Sequence, residues 1–218
     1  QNLSDIAAMG GVPTAAVVAL GLPATLEVDW VRALVAGMAS EIQSVGASIV
    51  GGDLSRSDRV VITLTVIGMR NKRLAVTRAG AQIGEQVAVF GELGWSAAGL
   101  ACIQRGYKGA EKYVERFLVP QPPYEQGPIA AKAGATSMID VSDGLLADVG
   151  HIASASDVSI DLELARLLPT RELLALAGEL GTDALLWVLA GGEDHALVAT
   201  FPERKKLPTG WRRIGVVS

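Results

Sequence analysis

The sequence predicts a protein of mixed helices and strands, in the α/β or α+β class, with two domains. Helices and strands alternate along 218 residues, half of which are hydrophobic, so the chain can bury a sizeable core. The first part has the order β-α-β-β, and the run Arg78-Ala79-Gly80-Ala81 after it is typical of a linker. We therefore predict two domains, at 1–78 and 79–218, each within the usual size range.

The first part is predicted to contain two helices and three strands. A short helix at 2–9 ends at two glycines, and a longer helix begins near Glu27 with apolar residues on one face. Apolar, β-branched runs predict strands at 14–22, 48–50 and 59–68. The run at 59–68 is nearly continuous, so we expect both faces of that strand to be covered. Residues 71–73 are predicted to form a polar turn.

The second part is predicted to alternate short strands with helices. The predicted strands are 86–90, 137–140, 158–162, 195–200 (alternating apolar and polar) and 214–217. The predicted helices lie near 97–101, 111–117, 126–133, 145–152, 171–180 and 184–189. Gly91 and Gly94 at the first strand-to-helix turn could cradle a phosphate, although a tight packing turn explains them equally well. The Gly-Lys-Ser/Thr ending of a P-loop is absent from that turn.

Composition excludes several classes of function. The net charge of −4 argues against a nucleic-acid surface, which needs a basic stripe. Cys102 is the only cysteine, so we expect neither a disulfide framework nor a thiolate zinc site, and a reducing cytoplasm is the simplest location. No uninterrupted apolar run approaches the ~18 residues of a membrane span, so no membrane association is predicted.

The stretch from Thr136 to Leu145 is the one around which the chain is organised. A short buried strand ends at Asp140, and a helix follows the turn at Asp143-Gly144. In an open α/β sheet, ligands bind at the carboxyl ends of strands, where Asp140, Ser142 and Asp143 would lie. Close carboxylates repel each other unless a cation lies between them, and a hard divalent cation prefers oxygen ligands. The alternative is that Asp143 caps the helix while Asp140 ends its strand in water.

Further acidic residues lie beside glycines or strand ends, namely Asp5, Asp53, Glu193 and Asp194. Taken alone, Gly51-Gly52-Asp53 favours a turn. Taken together, the acidic residues suggest an oxygen-rich site for several Mg²⁺ ions, as phosphoryl transfer requires. Arg78, near the predicted boundary, could contribute a positive group to a phosphate.

Five segments in this order resemble the thiamine-monophosphate kinase family over nearly the whole chain. They are residues 2–10 (NLSDIAAMG), 51–53 (GGD), 77–81 (TRAGA), 137–145 (SMIDVSDGL) and 191–194 (GGED). The resemblance implies ATP-dependent phosphorylation of thiamine monophosphate to thiamine diphosphate. It also implies the fold of aminoimidazole ribonucleotide (AIR) synthetase and selenophosphate synthetase. In that fold two N-terminal halves pair into a β-barrel across a homodimer, with nucleotide near the interface.

The resemblance also implies roles for individual residues. The positions that match metal-binding aspartates are Asp5, Asp53, Asp140 and Asp143. The positions that match nucleotide-binding residues are Gly52, Asp53, Arg78 and Ser142. Glu193 matches a residue that contacts the thiamine moiety. No role is implied for Asp194 or His195, and no catalytic residue is assigned. Further metal-binding residues are expected before Asn2, and a substrate-packing aromatic after Ser218.

Two other functions remain open from the sequence. One is another ATP-dependent enzyme of the same superfamily, acting in hydrogenase maturation or purine biosynthesis. The other is a non-enzymatic module that binds nucleotide or metal, which the four matched aspartates disfavour. For the kinase we predict direct in-line transfer without a phosphoenzyme, because the motif residues are carboxylates suited to holding metals. The apolar strands of the first part predict a homodimer.

Overall fold

The computed structural model describes residues 1–70 and 75–218, so the polar turn predicted at 71–73 lies outside the described residues. Its first part contains α1 (Asn2–Ala8), β1 (Val12–Leu22), α2 (Val28–Ser44), β2 (Ser48–Arg56) and β3 (Val61–Met69). These elements confirm the predicted β-α-β-β order after a short first helix. Strand β1 lies in the centre of a three-stranded sheet, parallel to β2 and antiparallel to β3.

The first sheet differs from its prediction in two ways. Residues 51–53 lie within β2, which is longer than predicted, so the turn expected at Gly51-Gly52-Asp53 is wrong. A Cβ on Gly52 would lie 1.9 Å from the carbonyl oxygen of Val18, so glycine is needed there to let β1 approach. Strand β3 is also more exposed than predicted, because within this chain α2 covers only one face of the sheet.

The second part contains five strands, six α-helices and one short 3₁₀ helix (Leu164–Arg166) among the described residues. The strands are β4 (Gln86–Phe90), β5 (Ser137–Asp140), β6 (Ile160–Leu162), β7 (Leu197–Phe201) and β8 (Arg212–Val217). The helices are α3 (Trp95–Arg105), α4 (Glu111–Leu118), α5 (Gln126–Ala133), α6 (Leu145–Ser156), α7 (Arg171–Leu180) and α8 (Ala184–Ala190). Most bounds fall within two residues of the prediction, because short apolar runs flanked by glycine or proline are strong local signals.

The second sheet has the order β5-β7-β4-β8-β6, and every neighbouring pair is antiparallel. The rule for parallel α/β sheets therefore does not explain the position of Asp140. One face packs on α3, α6, α7 and α8, and the other on α1, α5 and Trp211. Both faces are covered, so β7 is buried along its whole length, although its sequence predicted alternate exposure.

Helix α1 connects the two sheets. It contacts β1 and β3 of the first sheet and also β5 and α5 of the second. A Cβ on Gly127 of α5 would lie 1.9 Å from the carbonyl oxygen of Ala7, so a glycine allows α5 to approach α1 closely. This packing brings the first turns of α1, and with them Asp5, to the second sheet.

Candidate active site

The acidic motifs at 137–145 and 191–194 are joined by backbone hydrogen bonds beyond the end of β5 and before the start of β7. Val141 donates to the carbonyl of Ala196 (2.7 Å), and His195 donates to the carbonyl of Val141 (2.9 Å). Glu193 then donates to the carbonyl of Ser142 (2.9 Å). The antiparallel pairing of β5 with β7 thus continues into two loops, because the loop that follows β5 runs beside the loop that precedes β7. It brings together Asp140, Ser142 and Glu193, which lie up to 53 positions apart in the sequence.

Asp140 is buried and paired with a histidine. Its side chain is 7% exposed, and its Oδ2 atom accepts a hydrogen bond from Nδ1 of His195 at 3.0 Å. The alternative in which Asp140 ends its strand in water is therefore wrong. The histidine ring is itself buried, and its Nε2 atom lies 3.6 Å from the carboxylate of Glu193. His195 is a residue that the sequence analysis missed, since no local pattern indicates a partner 55 positions away.

Asp5 and Arg78 line the same cleft as Asp140. The cleft has a volume of about 460 Å³ and lies between α1, the segment after β3 and the end of β5. Partial burial of the carboxyl group raises the pKa of Asp5, and the negative charge of Asp140 raises it further. The positive charge of Arg78 acts in the opposite direction. Two carboxylates that repel each other across a cleft are a donor set that fits a hard cation such as Mg²⁺.

Asp143 does not cap α6 with its side chain, contrary to the alternative raised from the sequence. Gly144 occupies the N-cap position, and Oδ2 of Asp148 accepts hydrogen bonds from the backbone nitrogens of Asp143 (3.0 Å) and Gly144 (3.1 Å). Burial raises the pKa of Asp148. Asp143 itself is exposed, and its carboxylate lies within 4.8 Å of ligand atoms of Asp148 and His151. An acidic residue in the first helical turn is the sequence signal that would have identified Asp148.

Asp194 caps the start of helix α3 from the loop that precedes β7. Its carboxylate accepts hydrogen bonds from the backbone nitrogens of Gly94 (2.5 Å) and Ser96 (2.8 Å). The two N–H groups that would cradle a phosphate are therefore occupied by the protein itself. A Cβ on Gly94 would lie 3.0 Å from the backbone of Trp187, which supports the alternative of a tight packing turn. Burial raises the pKa of Asp194 to about 6, despite these hydrogen bonds.

Gly52 and Asp53 lie apart from these residues. They line a separate cleft beside α2, together with apolar side chains of β1, β2 and α2. Ser55 donates a hydrogen bond to Asp53 at 2.5 Å, and both residues are exposed. The structure thus brings together Asp5, Arg78, Asp140, Ser142, Asp143 and Glu193 around the ends of β5 and β7, but leaves Gly52 and Asp53 on the other sheet.

Comparisons with known proteins bear on this arrangement. Residues 1–70 match the family model described as AIR synthase related protein, N-terminal domain. The thiamine-monophosphate kinase of Corynebacterium glutamicum is 39% identical over 225 residues, covering 100% of this chain and 67% of the relative. The chain belongs to the thiamine-monophosphate kinase family. This confirms the resemblance drawn from the five sequence segments.

Other members of the thiamine-monophosphate kinase family agree. The Mycobacterium tuberculosis member is 52% identical over 218 residues, and the chain spans 65% of its length. The crystal structure of thiamine monophosphate kinase from Aquifex aeolicus is 32% identical with a TM-score of 0.90, covering 99% of this chain and 75% of that one. A structure of AaThiL complexed with AMPPCP and TMP has a TM-score of 0.91 at 32% identity, covering 99% of this chain and 71% of that one.

The family's mixed α/β fold extends to more distant proteins. Escherichia coli HypE, a hydrogenase maturation protein, is 20% identical with a TM-score of 0.76, covering 99% of this chain and 70% of that one. This likeness shows a shared fold alone. The first sheet is open within the described residues, so the barrel expected across a homodimer is not formed by one chain.

Proposed function

We propose that the protein containing this chain phosphorylates thiamine monophosphate to thiamine diphosphate, using ATP and Mg²⁺, by direct in-line transfer. The observation that carries the proposal is the cleft shared by Asp5, Arg78 and Asp140. It offers carboxylates for a cation and a guanidinium for a phosphate, and the Glu193 loop is hydrogen-bonded beside it. Family membership and the AMPPCP and TMP complex of AaThiL support the choice of substrates.

The proposed roles are those that the family resemblance implies, and the positions of Asp5, Arg78 and Asp140 in one cleft support them. Asp5 and Asp140 would hold Mg²⁺ in the cleft, and the exposed Asp143 follows Asp140 in the same loop. Asp53, which lies on the other sheet of this chain, would hold a cation at a site of the partner chain. Gly52, Asp53, Arg78 and Ser142 would bind the nucleotide. Glu193, whose side chain is 57% exposed, would face the thiamine moiety. Bound Mg²⁺ supplies neutralisation of charge on the phosphate oxygens. The protein residues only bind and orient the two substrates, so no phosphoenzyme is needed.

We further propose a homodimer formed through the first sheet. Leu64 and Val66 of β3 pack toward α2, so Val61, Ile67 and Met69 face the opposite side and are about half exposed or more. Burying this apolar face against a second copy would remove it from water. It would also offer a way for Gly52 and Asp53 to approach a nucleotide site of the partner.

A product assay on the full-length protein tests the function. Incubation with ATP, Mg²⁺ and thiamine monophosphate is expected to yield thiamine diphosphate in equal amount to ADP, and chelation of Mg²⁺ is expected to abolish the product. Glu193→Gln should raise the KM for thiamine monophosphate more than the KM for ATP. Glu203→Gln, an exposed turn substitution, serves as its control. ATP hydrolysis that ignores thiamine monophosphate would favour a different enzyme of the superfamily.

The stereochemistry of transfer tests the proposed mechanism. Direct in-line displacement is expected to invert the configuration at a chiral γ-phosphate. Retention of configuration, or a phosphorylated residue trapped on the protein, would contradict it.

The cytoplasmic location expected from the single cysteine stays a prediction. Among the described residues, no single helix has the length and composition to cross a membrane, although α7 and α8 pass that test together with a 115° bend between them.

A further inference from the structure

His195 has a backbone conformation that is uncommon for residues other than glycine. Its φ angle is +53°, in the left-handed region that non-glycine residues seldom adopt. Glu193, two residues earlier, also has a positive φ of 66°. The loop that leads into β7 therefore curls back, and the backbone nitrogen of His195 donates to the carbonyl of Val141. This curl places the imidazole directly beside the end of β5.

The imidazole fixes one oxygen of Asp140. A carboxylate can only accept hydrogen bonds, so the Nδ1 atom that lies 3.0 Å from Oδ2 must carry a proton and donate it. Both side chains are almost completely buried, at 2% and 7% exposure, so their hydrogen bond is held by the surrounding packing. Oδ1 of Asp140 is thereby left without His195 as a partner, and Asp140 lines the cleft that also contains Asp5.

We propose that His195 is a positioning residue for the cation that Asp140 and Asp5 bind. Its Nδ1–H group holds Oδ2 of Asp140 so that Oδ1 is presented to the cleft in one fixed orientation. Hydrogen bonds to the groups that ligate a metal typically change its affinity 10–100-fold. The inference deepens the proposed function, on which it rests, because it assigns a role to a residue that no sequence motif marks.

Two amide substitutions separate the hydrogen bond from mere packing. His195→Asn places an amide N–H group near the position of Nδ1, and asparagine tolerates a positive φ better than most residues. His195→Gln carries its amide farther out, near the position of Nε2, and therefore loses the bond to Asp140. Thr200→Val is the matched control, because the buried Thr200 hydroxyl contacts Ser137 at the opposite end of β5.

The measurement is Mn²⁺ binding to the full-length protein without nucleotide, followed by electron paramagnetic resonance, together with thermal unfolding. The Mn²⁺ ion that is lost in Asp140→Asn is the ion that the carboxylate of Asp140 binds. We expect His195→Gln to raise the Kd of that ion roughly tenfold or more, and His195→Asn to change it less than about threefold. Thr200→Val should lower the melting temperature and leave the Kd unchanged.

Two outcomes would overturn the inference. Equal Mn²⁺ affinity in wild type, His195→Asn and His195→Gln would make His195 a packing residue only. Equal weakening in both variants would show that the Nδ1 donor is not the cause. Because Mn²⁺ binding does not depend on turnover, a failed product assay with a preserved Asn–Gln difference would reject the kinase and leave the positioning role of His195 standing.

Discussion

At the scale of single residues, the acidic side chains of the candidate site differ sharply in their surroundings. Asp140 is buried against a histidine, Asp143 is exposed, and Asp194 accepts two backbone hydrogen bonds at a helix start. Similar motif residues thus have different physical tasks. A side chain that accepts backbone hydrogen bonds joins two segments of the fold, whereas a carboxylate that faces another carboxylate across a cleft costs stability until a cation arrives.

Asp140→Asn should separate the cation-binding role from a structural one. The amide keeps the volume of the side chain and an oxygen that can accept from His195, but it removes one of two repelling charges. We therefore expect the metal-free melting temperature to stay unchanged or rise slightly, while turnover falls ~100-fold or more. Thermal melts with and without Mg²⁺–ATP and steady-state rates check this. A destabilised mutant with near-normal turnover would contradict the role assigned to Asp140.

Asp194 should make stability depend on pH. Its pKa is about 6 in the folded chain against an ordinary value of 3.8, so the folded state binds the proton more tightly than the unfolded state. The resulting stabilisation is complete below about pH 4 and is lost as the pH rises through about 6. Between about pH 4 and pH 6, the free energy of unfolding of wild type should fall by on the order of 2 kcal/mol relative to that of Asp194→Asn. Urea unfolding across this range measures the difference, and parallel curves would refute it.

At the scale of elements, close packing of strands and helices depends on glycines whose neighbours are far away in sequence. Gly52 lies where β2 approaches β1, and Gly99 in α3 approaches the backbone of Tyr113 in α4. A Cβ at these positions would lie 1.9 Å and 2.1 Å from the nearest carbonyl oxygens. The second glycine of the Gly-Gly-Asp motif, Gly52, is therefore required by the packing of the sheet, whether or not it also contacts a nucleotide.

Gly52→Ala should damage the first sheet, and its neighbour provides the control. The added methyl group would force β1 and β2 apart, so we expect a loss of at least about 3 kcal/mol in the free energy of unfolding. Gly51→Ala meets no atom within 4 Å and should change it by less than about 0.5 kcal/mol. Urea titration followed by circular dichroism compares them. Equal stability of both variants would show that β1 and β2 can separate freely.

At the scale of the whole molecule, the two sheets are covered to different extents. The second sheet has helices on both faces, whereas the first has α2 on one side and apolar residues of β3 exposed on the other. An exposed apolar face of this kind typically marks an interface. The expectation that both faces of the 59–68 strand are covered is wrong for one chain. A second copy packed on the exposed face would cover it.

Ile67→Lys should therefore disrupt assembly and leave the single chain folded. A charge in the middle of a dimer interface would be desolvated without a partner, which strongly disfavours association. Leu174→Lys on α7 is the matched control, because Leu174 is 53% exposed and Ile67 is 54% exposed. Light scattering of the full-length protein at micromolar concentration should give a dimer for wild type and the control, and a monomer for Ile67→Lys. A monomeric wild type would argue against the interface.

The sequence by itself determined the elements and the family. Apolar periodicity and breakers act over a few residues, so α5, β4, β5 and α7 begin and end where the patterns predict. The acidic motifs are also local, and their order along the chain was enough to identify the family. The arrangement of Asp5, Arg78 and Asp140 around one cleft agrees with that local information, but it does not follow from it.

Only the tertiary structure decided which partners the acidic residues have. The register of β5 against β7 pairs Asp140 with His195, and the packing of α3 on the sheet joins Asp194 to Gly94 and Ser96. These partners lie 55 to 100 positions apart. Sequence patterns report the local conformation of a segment, whereas the contact between two distant segments depends on strand register and helix packing across the whole chain.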